Sequence, residues 1–307
     1  SSLRKMGEAA NSSAVTTETA VQLETGLAFA RAYLAVARQV DSVSLTIEPT
    51  AEALIFNKYV LFKDAGSDEA TVPASQPDAA RLLALLPGNG AVRAEINVDP
   101  KTAISFTRTI LDAFNQEGGL GGSDQEFHAW LNDFARVWNG SMAMVFMPDE
   151  KAPISGAYAL GVSDEEAMLK LLDDVPNRFK GSSLERFYGI MGMKVQPEFE
   201  KNVRQVDGVQ VHRTRTNIDF TTRALEQQRQ MEPVLDKLVY DTAIVNKVLL
   251  YAVEPYKIDD LIKAAKSDRN PDTRPLVSRE KLPPDGWLYV DYHLGPALVG
   301  SAALHGT

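Results

Sequence analysis

Two segments of this chain repeat one pattern, and this repetition constrains the fold more than any other feature. Residues 86–100 and 282–296 align without a gap, and each runs from a Leu-Pro pair through a glycine into an alternating stretch ending in proline. Alternation of apolar and polar residues predicts a strand, and the closing proline suits the first turn of a helix. We call these two segments the echoes. They predict two copies of a strand-helix unit.

Similar strand-helix patterns recur at unequal distances. They begin near residues 91, 154, 247 and 287, and hairpin signals such as the Asp207-Gly208 turn lie between them. The unequal spacing indicates reuse of a small unit and not one tandem duplication. Together, the hairpins and the recurring units predict an α+β fold with largely antiparallel sheets and helices packed on one face.

The chain of 307 residues is long enough for one large domain or two ordinary ones. We expect a loose Ser/Thr/Ala-rich segment over residues 1–16, a first α+β unit over 17–185 and a second over 186–307. The second echo reaches its closing proline shortly before Thr307, which predicts that the second unit is truncated at its C-terminus.

Local signals predict where several helices begin. Ser123 with Glu126, and Ser163 with Glu166, match the capping box, in which a hydroxyl and a carboxylate satisfy the first backbone N–H groups of a helix. Residues 224–239 are also predicted to be helical, with a kink or interruption at Pro233.

Composition excludes several functional classes. The chain has no cysteine, so disulfides, thiol catalysis and iron-sulfur ligation are excluded. A net charge of −9 argues against a general nucleic-acid binder, because phosphate contact requires a basic surface. No stretch approaches the ~20 apolar residues of a membrane helix, so no transmembrane segment is predicted.

Few side chains form a pattern that indicates chemistry. The four histidines lack the local spacing of a metal site, and we predict neither a metal nor another cofactor. Asp291 and His293 are the best local pair, since alternate strand positions share a face and a carboxylate can orient an imidazole for proton transfer. A solvated strand face is the favoured explanation of the pair, and the first echo has Glu95 and Asn97 at these positions.

A second candidate lies on the strand after the Asp207-Gly208 turn. Arg213 and Arg215 share a face there and could contact an anionic polymer or headgroup, with His212 between them. Charges on an edge strand that discourage aggregation are the alternative, and this is the favoured interpretation. No catalytic residue is assigned. The carboxylates at 164, 165, 173 and 174 bracket one helix and could serve acid-base or metal chemistry, but the first two are better explained as first-turn charges that suit the helix dipole.

Three features of the chain resemble a family of uncharacterised bacterial extracytoplasmic proteins built of repeated α/β units. They are residues 41–49, the two Leu-Pro-x-x-Gly echoes and residues 206–211, and the likeness covers about residues 41–300. The resemblance implies an envelope or secreted location and mixed sheets with packed helices. It implies no catalytic residues.

These observations favour a non-enzymatic extracytoplasmic scaffold or binding protein. Its partner would be another protein, a component of the cell envelope or an apolar small molecule. Two alternatives remain open: a carrier that holds an apolar ligand such as a lipid between sheet and helices, and a hydrolase whose active site is dispersed in sequence.

Overall fold

A computed structural model gives the fold of the protein. It describes scattered positions within residues 26–38, and then residues 40–49, 54–62, 78–117, 124–146, 155–221, 239–267 and 288–292, except for residues 89, 191 and 255. The loose segment expected at 1–16, the helix expected at 224–239 and the chain end that bears on truncation lie outside the described residues.

The described residues form ten strands and six helices. The strands are β1 (Val40–Pro49), β2 (Leu54–Phe62), β3 (Val92–Asn97), β4 (Trp138–Phe146), β5 (Gly156–Val162), β6 (Met193–Val206), β7 (Val209–Phe220), β8 (Val239–Val245), β9 (Val248–Ala252) and β10 (Leu288–Tyr292). The helices are α1 (Asp78–Ala84), α2 (Pro100–Glu117), α3 (Gln125–Val137), α4 (Glu165–Phe179), α5 (Ser183–Ile190) and α6 (Ile258–Lys266).

Eight strands form one antiparallel sheet in the order β10-β3-β4-β5-β9-β8-β7-β6, and β1 and β2 form a separate antiparallel hairpin. The expected α+β class with a largely antiparallel sheet is confirmed. Segments 17–185 and 186–307, expected as two units, both supply strands to this sheet, because β5 pairs with β9 and β10 pairs with β3.

Helices cover both faces of the sheet, whereas the sequence led us to expect them on one. Neighbouring residues of a strand point to opposite faces, so Ala143 and Met142 of β4 belong to different sides. Helices α1 and α6 pack with Ala143, whereas α3 and α4 pack with Met142. Both sides are covered because the central strands are apolar at successive positions and not only at alternate ones.

We call the first side the alanine face, after five alanines that are almost fully buried on it. They are Ala143, Ala157, Ala159, Ala243 and Ala252. The small side chains allow α1 and α6 to approach the sheet closely, and Leu250 fills the space between them. The opposite side, which presents Tyr158, Tyr240 and Tyr251, is the tyrosine face.

The two echoed segments lie side by side in the sheet. Strand β10 pairs with β3, and Ala94 faces Val290, which occupies the same position in the second echo. A local twofold axis therefore relates the two strands. The repeated sequence thus forms one ribbon of two equivalent, oppositely directed strands.

Two helix starts differ from the predicted capping boxes. Helix α4 begins one residue later than expected, because the Asp164 carboxylate accepts the Ala167 N–H at 2.9 Å, while the Ser163 hydroxyl donates to the Val137 carbonyl at 3.1 Å. A carboxylate is the stronger acceptor for a helix N-terminus. Helix α3 has Asp124 at its N-cap position, but this carboxylate forms no capping bond to its own helix.

Candidate functional site

A row of polar and aromatic residues crosses the centre of the tyrosine face. Tyr158 of β5 is opposite Tyr251 of β9, Tyr251 is opposite Thr242 of β8, and Thr242 is opposite His212 of β7. Cross-strand partners of an antiparallel sheet point to the same side, about 5 Å apart at their Cβ atoms. Four strands that are distant in sequence therefore present these side chains together.

Two further tyrosines complete the group. Tyr240 lies two residues before Thr242 on β8 and so points to the same side. Tyr188 of α5 is close enough for its hydroxyl to act electrostatically on that of Tyr240. We call Tyr158, Tyr188, Tyr240 and Tyr251 the tyrosine cluster.

Helix α5 is held in place by a buried carboxylate. Asp124, at the start of α3, accepts the Ser183 N–H at 2.8 Å and a bond from the Arg186 guanidinium at 3.2 Å. Its side chain is 1% exposed, so these charge-assisted bonds form with little competition from water. The first turn of α5 is thereby fixed to α3, which sets the position of Tyr188.

Three members of the cluster have raised pKa values. Burial raises the pKa of Tyr158 and of Tyr251, and burial together with the hydroxyls of Tyr158 and Tyr188 raises the pKa of Tyr240. Within the described part of the chain, none of these three hydroxyls forms a hydrogen bond. Each is a half-buried neutral donor that is free to bond a ligand.

Thr242 adds an unsatisfied polar atom to the same row. The residue is fully buried, and its Oγ1 finds no hydrogen-bond partner among the residues described. A buried hydroxyl without a partner costs about 1–3 kcal/mol, so native structures contain few of them. Thr242 lies between Tyr251 and His212, where a ligand held by the tyrosines could satisfy it.

His212, one of the residues singled out from sequence, is at the end of the row. Its Nδ1 accepts the Asn202 N–H at 3.2 Å, and its ring stacks on Phe199 with the centroids 5.6 Å apart. Asn202 has a left-handed backbone, with φ of 56°, where β6 bulges away from its regular pairing. Burial, and secondarily the charge of Lys201, lowers the pKa of His212, so the imidazole is neutral near pH 7.

Arg213 points to the opposite face and takes part in an ion-pair network. Its guanidinium contacts the Asp241 carboxylate at 3.0 Å. The Arg204 guanidinium contacts the same carboxylate at 3.1 Å and also contacts Asp259 of α6 at 2.6 Å. This network joins β6, β7, β8 and α6 at the border of the alanine face. Arg213 therefore has intramolecular partners in place of the free basic surface considered from sequence.

Arg215 is exposed and is opposite Glu198 in the sheet register. Strand β7 lies between β6 and β8, so it is not the edge strand assumed in the alternative explanation of these arginines. The two arginines thus share a strand but differ in surroundings. Only Arg213 is bound into the ion-pair network.

Asp291 lies far from His212. It is in β10, opposite Arg93, and six strand spacings of about 4.8 Å place β10 roughly 29 Å from β7. The register also assigns Asp291 to the side of Val145 and Ala157, which is the alanine face. His293 lies outside the described residues, so the proposed Asp291-His293 pair stays a prediction.

The carboxylates of α4 have structural partners. Asp164 caps the helix, Asp173 pairs with Lys201 at 2.6 Å, and Asp174 pairs with Arg178 at 2.6 Å. A hydrogen bond from Arg178 lowers the pKa of Asp174. Asp164, Asp173 and Asp174 are thus occupied by a helix cap and by ion pairs.

Comparisons with known protein families, curated proteins and solved structures find no match for this chain. No three His, Asp or Glu side chains of the described residues come together as metal ligands would. None of the described helices is both long and apolar enough to cross a membrane.

The sequence analysis missed the tyrosine cluster because its members are distributed over three strands and a helix. Tyr158 and Tyr251 each interrupt a run of small or aliphatic residues in a strand, whereas Tyr240 is followed by the polar residues Asp241 and Thr242. That interruption was the available signal. Without the strand register, however, nothing in the sequence indicates that the three tyrosines meet.

Proposed function

We propose that this protein is a non-enzymatic binding protein that holds a small molecule against the tyrosine cluster. The observation behind this proposal is the set of three half-buried tyrosine hydroxyls that form no hydrogen bond within the described residues. Aromatic surface with a few convergent polar groups is typical of small-molecule sites. The unsatisfied Thr242 hydroxyl in the same row supports the same interpretation.

The chemistry of the cluster favours binding over catalysis. A tyrosine that acts as a base or nucleophile needs a lowered pKa, whereas burial raises the pKa of Tyr158, Tyr240 and Tyr251. His212, the nearest ionisable group in the row, already uses Nδ1 as an acceptor for Asn202. The side chains of the site can therefore donate hydrogen bonds and present ring faces, which are functions of recognition.

Native mass spectrometry tests this function. The protein is incubated with a small-molecule extract of the cells that produce it, and the bound mass is compared with that of a Tyr158→Leu/Tyr240→Leu variant. We expect a stoichiometric adduct on the wild type that is lost in the variant and retained by Arg215→Ala, a change at an exposed position of β7. An adduct that persists in the double variant, or the absence of any adduct, contradicts the proposal.

We further propose that this binding takes place outside the cytoplasm. The support is the resemblance of the echoes and of residues 41–49 and 206–211 to extracytoplasmic proteins of repeated α/β units. Fractionation of the producing cells, with antibody detection of the protein, checks this location. Recovery in the cytoplasmic fraction alone would rule it out.

A further inference from the structure

The tyrosine cluster is an uncharged site. A nearby lysine or arginine would lower the pKa of a tyrosine, yet only burial and other tyrosine hydroxyls act on Tyr158, Tyr240 and Tyr251, and each of these pKa values is raised. The strand register agrees, because it places Met144, Thr214 and Thr242 beside the three tyrosines on this face, and none of these side chains is charged. The electrostatic potential of the site therefore comes from the faces of the aromatic rings and from the hydroxyl oxygens.

The strand register brings three tyrosines of the cluster close together. Tyr158 and Tyr251 are direct cross-strand partners, and Tyr240 lies diagonally across from them. Their rings nevertheless form no stacked or edge contact with each other, whereas Tyr188 rests on Phe179 at 6.2 Å and on Phe187 at 5.9 Å. Tyr251 packs against the hydrophobic core cluster of this face, whereas Tyr158 and Tyr240 are partly exposed, so theirs are the ring faces that a ligand can reach.

Building on the proposed function, we infer that the tyrosine cluster binds a quaternary ammonium group. The negative face of an aromatic ring attracts a cation, and several rings around one alkylated ammonium form the arrangement that recognises choline-like compounds. Such a group has no N–H to donate, so it needs no carboxylate. The net charge of −9 favours the approach of a cation.

Other ligand classes fit these side chains less well. A primary ammonium would leave its N–H donors short of strong acceptors, and an anion would lack the arginine or lysine that normally binds it. A purely apolar ligand would leave the hydroxyls of Thr242 and of the tyrosines without partners. A choline-like ligand offers both an ammonium for the rings and a hydroxyl for a buried polar group such as Thr242.

Binding of choline and of its neutral isostere 3,3-dimethyl-1-butanol tests this inference, because the two differ in charge and hardly in shape. Isothermal titration calorimetry of the purified protein measures both affinities. We expect choline to bind about tenfold or more tightly than the isostere, since only the cation gains from the ring faces. Equal affinity for the two compounds, or no binding of choline, overturns the ammonium assignment.

Substitutions separate the ring faces from the hydroxyls. Tyr240→Leu removes a ring and should weaken choline binding about tenfold, whereas Tyr240→Phe keeps the ring and should change it by less than about threefold. Arg215→Ala is the matched control and should have no effect, and circular dichroism with thermal melting shows whether each variant folds. Equal loss in Tyr240→Phe and Tyr240→Leu would contradict recognition through the ring.

The failure of this inference is distinguishable from the failure of the proposed function. If the isostere binds as well as choline and Tyr240→Leu abolishes both, the cluster is a ligand site but not an ammonium site. If choline fails to bind while the native adduct is lost on tyrosine substitution, the ligand belongs to another class. If the native adduct is also absent, the binding function itself is wrong.

Discussion

The two faces of the central sheet are built from the same strands but differ in what those strands present. The alanine face has Ala143, Ala159 and Ala243 fully buried beneath α1 and α6. The tyrosine face has Tyr158 and Tyr240 only half-buried. Helices pack on both faces, but the small residues of the first are fully buried, whereas the larger rings of the second are partly exposed. The comparison separates a closely packed face from one whose larger side chains are partly exposed, and the proposed function assigns ligand binding to the second.

Truncation of a core leucine on the alanine face should have the largest effect. Leu250 is fully buried between the sheet and α1 and α6, so Leu250→Ala should lower the free energy of unfolding by about 3 kcal/mol through lost burial and a cavity. Tyr240→Leu on the tyrosine face should lower it by only about 1 kcal/mol. Urea denaturation measures both. Equal losses would break the distinction between the faces.

The ion-pair network at the border of the alanine face should contribute less than the core. Asp241→Asn removes the charge shared by Arg204 and Arg213, and we expect a loss of about 2 kcal/mol in the free energy of unfolding. Asp260→Asn, at an exposed position of α6, is the control and should change stability by less than about 0.5 kcal/mol. If the two substitutions have the same effect, the network does not stabilise this border.

His212 should make the tyrosine face sensitive to acid. Its pKa is lowered by burial and by Lys201, so the unfolded chain binds a proton near its ordinary value of 6.5 while the folded chain does so only at lower pH. The stabilisation is complete above about pH 6.5 and is lost as the pH falls below it. We expect His212→Gln to flatten the stability profile between about pH 5 and 7, as measured by urea denaturation across this range.

The control for this titration is His128, which lies beside Asp112 on the helices. His128→Gln should leave the His212 contribution in place. A wild-type profile that is flat from about pH 5 to 7, or one that His212→Gln does not change, would show that the buried imidazole does not titrate as described.

Loss of one hydroxyl from the tyrosine face should have the smallest effect. Tyr158→Phe removes an oxygen that forms no hydrogen bond within the described part of the chain, so stability should change by less than about 0.5 kcal/mol. Chemical denaturation measures the difference. A loss above about 1.5 kcal/mol would mean that the hydroxyl has a structural partner and is not reserved for a ligand.

Sequence patterns predicted the local elements well because those depend on neighbouring residues. The alternation around Ala94 predicted β3, and the Asp207-Gly208 pair predicted the turn of the β6-β7 hairpin, where both residues have positive φ. The capping boxes were misplaced by one residue because a serine and an aspartate are adjacent before each helix. At the second of these helices the hydrogen bond from the Ala167 N–H to Asp164 decides between the two.

Sequence patterns did not predict the site because its geometry depends on long-range register. Tyr158 and Tyr251 are adjacent only because β5 pairs with β9, a contact between two segments that we expected to be separate units. Strand β8, which supplies Tyr240 and Thr242, was not predicted at all. The candidate residues chosen from the sequence were charged or contained an imidazole. Of these, Arg213 forms an ion pair with Asp241, and Asp291 lies on β10, at the end of the sheet that is farther from β7.

Fluorine NMR of protein labelled with 3-fluorotyrosine tests the central claim most directly. The chain has nine tyrosines, and Tyr256, which packs against the alanine-face core, provides an internal control. Titration with the small-molecule extract should shift the signals of Tyr158, Tyr240 and Tyr251 together and to saturation, while that of Tyr256 stays in place. Signals of the cluster that do not move, or that move no more than that of Tyr256, would contradict the assignment of the tyrosine face as the binding surface.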